Sequence, residues 1–198
     1  MSFAKQLKRF WRYVWYGDSL GSLALNLILA FIIIRFLLYP FLGLILGTGF
    51  PIVAVVSGSM EHDGTFDQWW TSSCSSSPQA SFYDQYGITK ETFLDYRFAH
   101  GFNKGDIMVL AGAENVEIGE VIVFMSPRRS EPIIHRLIDN TNGTYRTKGD
   151  HNCAVAAFEQ SIQPEQVVGK ALFRIPWVGY IKIIFVELLA LVGIGGGI

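Results

Sequence analysis

A long stretch that is almost free of charge places the strongest constraint on this chain. Between Asp18 and Glu61 the only charged residue is Arg35. A helix that crosses the hydrocarbon core of a bilayer needs roughly 20 apolar residues. The sequence therefore predicts a transmembrane helix within residues 19–48, and Pro40 and the three glycines after it are expected to kink or end this helix.

A basic segment precedes the apolar stretch. Residues 1–18 interleave aromatic side chains with the four cations Lys5, Lys8, Arg9 and Arg12. This pattern is typical of an amphipathic helix in the cytoplasmic membrane interface. The positive-inside rule then places the N-terminus in the cytoplasm and residues 49–175 outside. The apolar run is too long for a cleaved signal peptide, so we expect it to remain as an anchor.

A second hydrophobic segment, residues 176–198, closes the chain. Lys182 and Glu187 interrupt it, so it either returns across the membrane or lies on the bilayer surface. We favour a second membrane-spanning segment.

Composition supports a membrane protein and limits its partners. Half of the residues are apolar, 17% are charged and the mean hydropathy is +0.30, which is unusual for a water-soluble domain. A net charge of −1 gives no electrostatic basis for binding nucleic acid. Cys74 and Cys153 form one disulfide if this region faces an oxidising compartment; otherwise they are two free thiols.

Residues 49–175 change to short β-type runs separated by turns. The runs cover residues 51–56, 106–110, 120–125, 133–138, 144–148 and 167–175. Short, regularly spaced strands predict a mainly β fold, a small antiparallel barrel or sandwich. A hairpin turn is predicted at Asn140–Gly143.

Residues 64–103 interrupt the β pattern as an insertion. A serine run around Cys74 suggests a flexible loop, whereas the many aromatic residues suggest a cap that packs or lies at the lipid interface.

The segment Ser57-Gly58-Ser59-Met60 follows the first predicted strand and contains the candidate nucleophile, Ser59. A serine hydroxyl needs a neighbouring base to take its proton. His135, on a predicted strand, has the pKa range suited to this task. Asp150 follows a glycine and is expected to orient the imidazole. The backbone N–H of Ser59 and the hydroxyl of Ser57 are the candidate oxyanion donors.

Each of these residues also has an ordinary structural interpretation. A strand histidine is usually structural, and an aspartate after glycine usually stabilises its own turn. His62, three residues after Ser59, is the strongest rival base. The sequence contains no HExxH or CxxC spacing, so we expect neither a metal nor another cofactor.

Five motifs in order resemble those of type I signal peptidases of the kind found in archaea and the endoplasmic reticulum. They are Val55–Met60, Lys104–Ile107, Ile118–Phe124, Ile134–Leu137 and Thr147–Asn152. Histidine rather than lysine at position 135 separates the chain from the usual bacterial Ser/Lys enzymes.

The resemblance implies a membrane-bound serine endopeptidase that removes signal peptides from secreted and membrane preproteins on the outer face of the membrane. It further implies a β-rich catalytic domain on the bilayer, small side chains at the −1 and −3 positions of the substrate, and accessory membrane subunits. The location is an archaeal-type plasma membrane, or the endoplasmic reticulum membrane if the source is eukaryotic.

One departure from the family pattern leaves the third catalytic residue open. Family members often have a further aspartate shortly after the Gly-Asp-Asn motif, but here no acid occurs between Asp150 and Glu159. Asp150, Glu159 or a Ser59–His135 dyad remain possible, and we favour Asp150. The departure also permits two other functions: a membrane-tethered regulatory protease, and a non-catalytic scaffold that binds a partner through the aromatic insertion.

Overall fold

The computed structural model describes residues 3–191, except 76, 128, 130 and 142. The chain divides into two compact units, Met1–Ile45 and Leu46–Ile198.

The first unit is helical. It contains α1 (Phe3–Tyr16), α2 (Leu20–Ile33), a π-helical turn (Ile34–Leu38) and most of α3 (Tyr39–Leu46). Ser22 Oγ donates to the carbonyl of Tyr13 at 2.7 Å, and Asn26 Nδ2 donates to that of Val14 at 2.7 Å. Polar side chains of α2 therefore bond to carbonyls at the end of α1, where the Tyr13 carbonyl also accepts from the Gly17 N–H.

The predicted spanning segment is one continuous helix, Leu20–Leu46, with a mean hydropathy of 2.4. Within the described part of the chain, no other helix is long and apolar enough to cross a membrane. Pro40 does not break it, because the preceding turn is π-helical and the Tyr39 N–H bonds to the Ile34 carbonyl. Gly47, at φ +66°, follows the last helical residue, as is common at helix ends.

The second unit is built on an antiparallel sheet of six strands, which confirms the mainly β prediction. In sheet order these are β1 (Ile52–Ala54), β4 (Ile107–Ala111), β8 (Val167–Ile175), β5 (Val121–Phe124), β6 (Ile133–Thr141) and β7 (Thr144–Lys148). All four residues of the interior strand β5 are buried. Apolar side chains from both halves of the sheet form one core, which includes Val55, Met60, Met108, Leu110, Val121 and Val123.

The β6–β7 hairpin turns where the sequence predicts it. Thr141 pairs with Thr144, and Gly143 has a φ of +76°. Residue 142 of this turn lies outside the described residues.

The insertion folds into a small helical cap. It contains α4 (Phe66–Thr71), β2 (Ser73–Cys74), β3 (Ser77–Pro78), α5 (Gln79–Asp84) and α6 (Lys90–Leu94). A capping box between Thr65 and Gln68 starts α4. Aromatic residues pack inside the cap, with Tyr83 and Phe93 fully buried. A disulfide joins Cys74 of this insertion to Cys153.

The chain continues through two short 3₁₀ turns, Ala157–Glu159 and Pro164–Gln166, and after β8 into α7 (Tyr180–Leu191). The C-terminal hydrophobic segment is thus helical over much of its length, with Ile181, Phe185 and Leu191 exposed. Residues 192–198 lie outside the described part, and a second membrane crossing stays a prediction.

Candidate active site

Ser59 and His135, the predicted nucleophile and base, are in hydrogen-bond contact. Ser59 Oγ lies 2.9 Å from Nε2 of His135. The other ring nitrogen, Nδ1, bonds to Oε1 of Glu159. Because an ionised carboxylate only accepts hydrogen bonds, Nδ1 donates and the Nε2 lone pair faces the serine hydroxyl. This is the arrangement that a histidine general base needs.

The loop after β1 fixes Ser59 through its backbone. The Ser59 carbonyl accepts from the His151 N–H at 2.9 Å, and the Met60 carbonyl accepts from the Phe102 N–H at 3.0 Å. The Met60 side chain is fully buried in the core of the sheet. Contacts on both sides of the nucleophile therefore hold its position.

His135 lies on β6 opposite Ile122 of β5 and is only 6% exposed. Gly149 approaches it so closely that a Cβ atom there would lie 2.8 Å from His135 Nε2 and 2.7 Å from the Ser59 carbonyl oxygen. Glycine at 149 is thus a steric requirement of the serine–histidine contact.

Glu159 ends the first 3₁₀ turn and is fully buried. Besides the imidazole, its carboxylate accepts from Thr147 Oγ1 at 3.2 Å and from the Ala156 N–H at 3.0 Å. These donors satisfy the buried charge and hold the carboxylate toward the histidine.

The structure places Asp150 away from His135, contrary to the expected orienting role. Its carboxylate accepts from Arg136 Nη2 at 2.7 Å, from Tyr83 OH at 3.0 Å and from His62 Nε2 at 3.0 Å. Successive side chains of a strand point to opposite faces, so His135 and Arg136 face different partners. Glu159 bonds to the histidine, and Asp150 bonds to the arginine.

Asp150 and Arg136 form a fully buried ion pair. Burial alone would raise the pKa of Asp150, but the charge of Arg136 and the hydrogen bonds from His62 and Arg136 hold it well below its ordinary value. The guanidinium also donates to the carbonyls of Arg97, Phe98 and Gly119. Asp150 is therefore the centre of a buried polar cluster behind the site.

His62, the rival base, belongs to this cluster. Its ring stacks on Trp69 with centroids 3.6 Å apart, and its side chain is 2% exposed. Nε2 of His62 bonds to Asp150, whereas the Ser59 hydroxyl bonds to His135. Proximity in sequence to the nucleophile was thus a misleading signal.

Ser59 opens into a cleft of about 350 Å³. Its lining consists of Ala54, Val56, Ser57, Ser59, Arg129, Glu131, Pro132, Ile133, Ile134, His135, Asn152, Ala156, Phe158 and Glu159. Ser57 Oγ lies 3.2 Å from Ser59 Oγ, so the predicted oxyanion hydroxyl is beside the nucleophile. β1 is an edge strand, yet it shares this cleft with β6, and the sheet must therefore curl.

Two chain segments, residues 54–56 and Ile133–His135, form the walls of the cleft. Each has backbone N–H and C=O groups that, within the described part of the chain, do not bond to a neighbouring strand on the cleft side. Val55 bonds through its N–H to Asp106 and through its carbonyl to Gly105. By the alternation of an antiparallel ladder, the backbone groups of Ala54 and Val56 face away from β4. Across the cleft, β7 pairs with β6 only from Arg136 onward, which leaves Ile133–His135 beyond that ladder.

Sequence reasoning missed the wall residues Ile133, Ile134 and Phe158. The alternation of β6 is a signal for Ile133, which lies two residues before His135 on the same face, and not for Ile134 on the other face. No sequence signal points to Phe158, because it lies on a 3₁₀ turn.

Catalytic subunits of signal peptidase complexes are among the curated proteins that this chain resembles. SEC11 of Candida tropicalis is 27% identical over 77% of this chain and 75% of the relative. SEC11 of Pyrenophora tritici-repentis is 33% identical over 43% of this chain and 57% of the relative. SEC11C of Canis lupus familiaris is 32% identical over 42% of this chain and 50% of the relative. The chain thus spans about half to three quarters of these relatives' length.

No protein-family model matches the chain. The relatives and the five motifs nevertheless point the same way: the chain is similar to catalytic subunits of the signal peptidase complex, which supports the resemblance to type I signal peptidases.

Proposed function

We propose that this protein is a membrane-anchored endopeptidase that cleaves N-terminal signal peptides from secreted and membrane preproteins. Ser59 is the nucleophile, His135 the general base and Glu159 the residue that orients the imidazole. The observation that carries the proposal is the 2.9 Å contact between Ser59 Oγ and His135 Nε2 at an open cleft.

The first half of the reaction forms an acyl-enzyme. The Ser59 proton passes to His135 Nε2 while Oγ bonds to the scissile carbonyl carbon, and the C=O electron pair moves onto oxygen. In this proposal the N–H of Ser59 and the hydroxyl of Ser57 stabilise the oxyanion, each donor contributing about 2.7–4 kcal/mol. The C–N bond then breaks, and the leaving amine takes the proton from His135.

Water completes the reaction. His135 takes a proton from the water as its oxygen attacks the acyl carbon, and then returns that proton to Ser59 Oγ as the ester bond breaks. The imidazole is positively charged in both halves. A buried carboxylate on Nδ1 stabilises that charge, which is the task proposed for Glu159.

The cleft suits an extended substrate. A peptide strand between the walls can bond to the outward-facing backbone of Ala54 and Val56, as in β-strand addition. Residues two apart on such a strand face the same side, so positions −1 and −3 point together into the cleft. The specificity for small side chains at these positions is part of the proposal, with Val56, Ile133 and Ile134 as the walls that exclude larger ones.

The setting of the reaction follows from the apolar helix and the basic segment before it. Leu20–Leu46 anchors the protein, and the positive-inside rule puts the catalytic unit on the outer or luminal face. Sharing one membrane with the substrate raises effective concentration. The relatives are named as subunits of a complex, which supports accessory membrane subunits and an endoplasmic reticulum location; an archaeal plasma membrane is the alternative.

The scaffold alternative has less support. A scaffold that binds a partner through the insertion needs aromatic side chains at the surface. Trp69, Tyr83 and Phe93 are instead 0–2% exposed.

The test is cleavage of a preprotein in detergent or liposomes. Ser59→Ala and His135→Ala should each lower the rate about a thousandfold or more. Ser81→Ala and His100→Ala serve as matched controls, because both side chains are exposed, and they should cut normally. Normal cleavage by the first two variants would show that the site is wrong, and a wild type that cuts no precursor would refute the function.

A further inference from the structure

The loop 149–159 connects β7 to the proposed catalytic acid. The loop contributes the His151 N–H that bonds to the Ser59 carbonyl, and it ends at Glu159. Before its final 3₁₀ turn it has no regular secondary structure. A segment of this kind needs contacts from elsewhere to hold a fixed shape.

The insertion makes such contacts at the start of the loop. Tyr83 OH donates to Asp150 Oδ1 at 3.0 Å, and Gln79 Nε2 donates to the Asp150 carbonyl at 3.0 Å. Lys148 Nζ bonds to Gln79 Oε1 at 2.9 Å. Burial, with the nearby charge of Asp150, raises the pKa of Tyr83 well above its ordinary value, so the hydroxyl stays a donor at neutral pH.

A covalent bond joins the insertion to the middle of the same loop. Cys153, the partner of Cys74, lies three residues after Asp150 and six before Glu159. The hydrogen bonds and the disulfide therefore hold the loop at two separate points.

The insertion has a packed aromatic interior, so it is rigid enough to hold the loop 149–159 in place. Tyr83 stacks on Trp70 with centroids 5.5 Å apart and meets Phe93 edge-on at 4.9 Å. Trp69 stacks on His62, which follows Ser59 on the other side of the site. One aromatic core thus reaches the segments after both Ser59 and Lys148.

We infer that residues 64–103 act as an intramolecular clamp on the loop 149–159, with Tyr83 as a positioning residue and Cys74–Cys153 as the covalent link. The inference rests on the proposed function, because it assigns the insertion to the same reaction. The clamp keeps Glu159 on His135 and the His151 N–H on the Ser59 carbonyl. The same loop lines part of the cleft through Asn152, Ala156 and Phe158, beside the walls from β1 and β6.

Tyr83→Phe isolates the hydrogen-bonded arm of the clamp. It keeps the ring in the aromatic core and removes only the donor to Asp150. We expect kcat for preprotein cleavage to fall about tenfold with a smaller change in KM, and amide hydrogen exchange in residues 149–159 to speed up. Tyr86→Phe is the matched control, since within the described residues its hydroxyl has no hydrogen bond, and it should match the wild type in both measurements.

Reduction isolates the covalent arm. A thiol reductant should lower kcat of the wild type about tenfold and speed exchange in residues 149–159. Cys74→Ser/Cys153→Ser should show the same values with and without reductant.

Exchange rates separate failure of the clamp from failure of the function. If residues 149–159 exchange at the wild-type rate both in Tyr83→Phe and after reduction, the clamp is refuted whatever the activity. A rise in KM with constant kcat would also refute it, because loosening the loop would then leave the arrangement of Ser59, His135 and Glu159 unaffected. If exchange changes as expected and the wild type cuts nothing, the proposed function fails while the clamp stands.

Discussion

Two neighbouring residues on β6, His135 and Arg136, belong to different hydrogen-bond networks, the first at the candidate site and the second in the buried cluster behind it. His135 faces Ser59 and Glu159, and Arg136 faces Asp150 on the opposite side of the strand. Substitutions at the two acids should therefore have different consequences, although both acids lie in buried hydrogen-bond networks.

Glu159→Gln should lower kcat about a hundredfold or more, because an amide cannot stabilise the imidazolium as a carboxylate does. The variant should lose less stability than Asp150→Asn, because no buried arginine is left unpaired, although its amide nitrogen can no longer accept from the Ala156 N–H. Preprotein cleavage and melting, measured on the same detergent preparation, check both parts. Wild-type activity in Glu159→Gln would leave a Ser59–His135 dyad.

Asp150→Asn should act on stability. It leaves the buried charge of Arg136 uncompensated, and removing one partner of such a pair costs about 3–5 kcal/mol. Denaturant unfolding measures this loss, with Asp84→Asn at the surface as the control. An Asp150→Asn protein that is as stable as the control but inactive would return Asp150 to a catalytic role.

Lys148 should make stability depend on alkaline pH. Burial lowers its pKa to about 8, partly offset by Asp150 and Glu159, whereas an unfolded lysine titrates near 10.4. As pH rises above 8 the folded state releases a proton that the unfolded state keeps, so the free energy of unfolding rises, by at most about 1.4 kcal/mol per pH unit. Tyr83 opposes this rise only near pH 10, where unfolded tyrosine ionises.

Denaturant unfolding between pH 7 and 9.5 measures this rise in the window set by the folded pKa of about 8 and the unfolded value near 10.4. Lys148→Met should lack it, and Lys90→Met, at an exposed position, should retain it. Equal slopes in all three proteins would show that Lys148 is not the group responsible.

The sequence was a good guide to the contact between Ser59 and His135 and a poor one to the acid that bonds to His135. Ser59 and His135 stand in motifs whose residue types are specific. Asp150 also stands in such a motif, but the partner of its carboxylate depends on which face of β6 the carboxylate contacts, that of His135 or that of Arg136. That is a matter of tertiary register, so sequence pattern alone left Asp150 and Glu159 as alternatives.

At the scale of elements, the sequence predicted those strands and helices that show a clear periodic pattern or a long apolar run. The six strands of the sheet were visible as β-branched or alternating runs, and the apolar helix was visible by length. Of the short insertion helices, only α6 lies in a stretch whose sequence has a helical period, residues 89–96; α4 and α5 have six residues each, too few for such a period to emerge. Their stability comes from aromatic packing, which a local pattern does not reveal.

The helix α1 gives a prediction about the membrane interface. Its four cations should bind anionic headgroups, each contributing about 1 kcal/mol near the surface. Arg9→Gln/Arg12→Gln in a peptide of residues 1–18 should therefore weaken partition into anionic vesicles roughly thirtyfold. Zwitterionic vesicles are the control and should show little difference. An equal loss on both would mean that apolar contacts alone bind the helix.

At the scale of the whole molecule, the site depends on contacts between distant parts of the chain. Ser59 and His135 are 76 positions apart, and the hydrogen bond between them forms because the edge strand β1 meets β6 across the cleft. The short strands predicted that a sheet forms, but they did not predict the order of strands in it. Pairings between strands distant in sequence, such as β4 with β8, depend on how the whole core packs.

Membrane orientation is the prediction that belongs to this scale. In sealed microsomes, protease added outside should remove a tag at the N-terminus and leave residues 49–175 intact. A tag after residue 198 should be cut if the C-terminal segment crosses and protected if it lies on the luminal surface. Digestion of residues 49–175 in intact microsomes would contradict the proposed orientation.

The bond between Cys74 and Cys153 also closes the chain into a covalent ring with a sequence separation of 79. His135, Arg136 and Lys148 lie within that ring, and Ser59 and Glu159 lie on the two tails. Closing a ring of this size restricts the unfolded chain by an entropy equivalent to about 4–5 kcal/mol. Newly made chains should therefore gain much of their resistance to unfolding only when they reach an oxidising compartment.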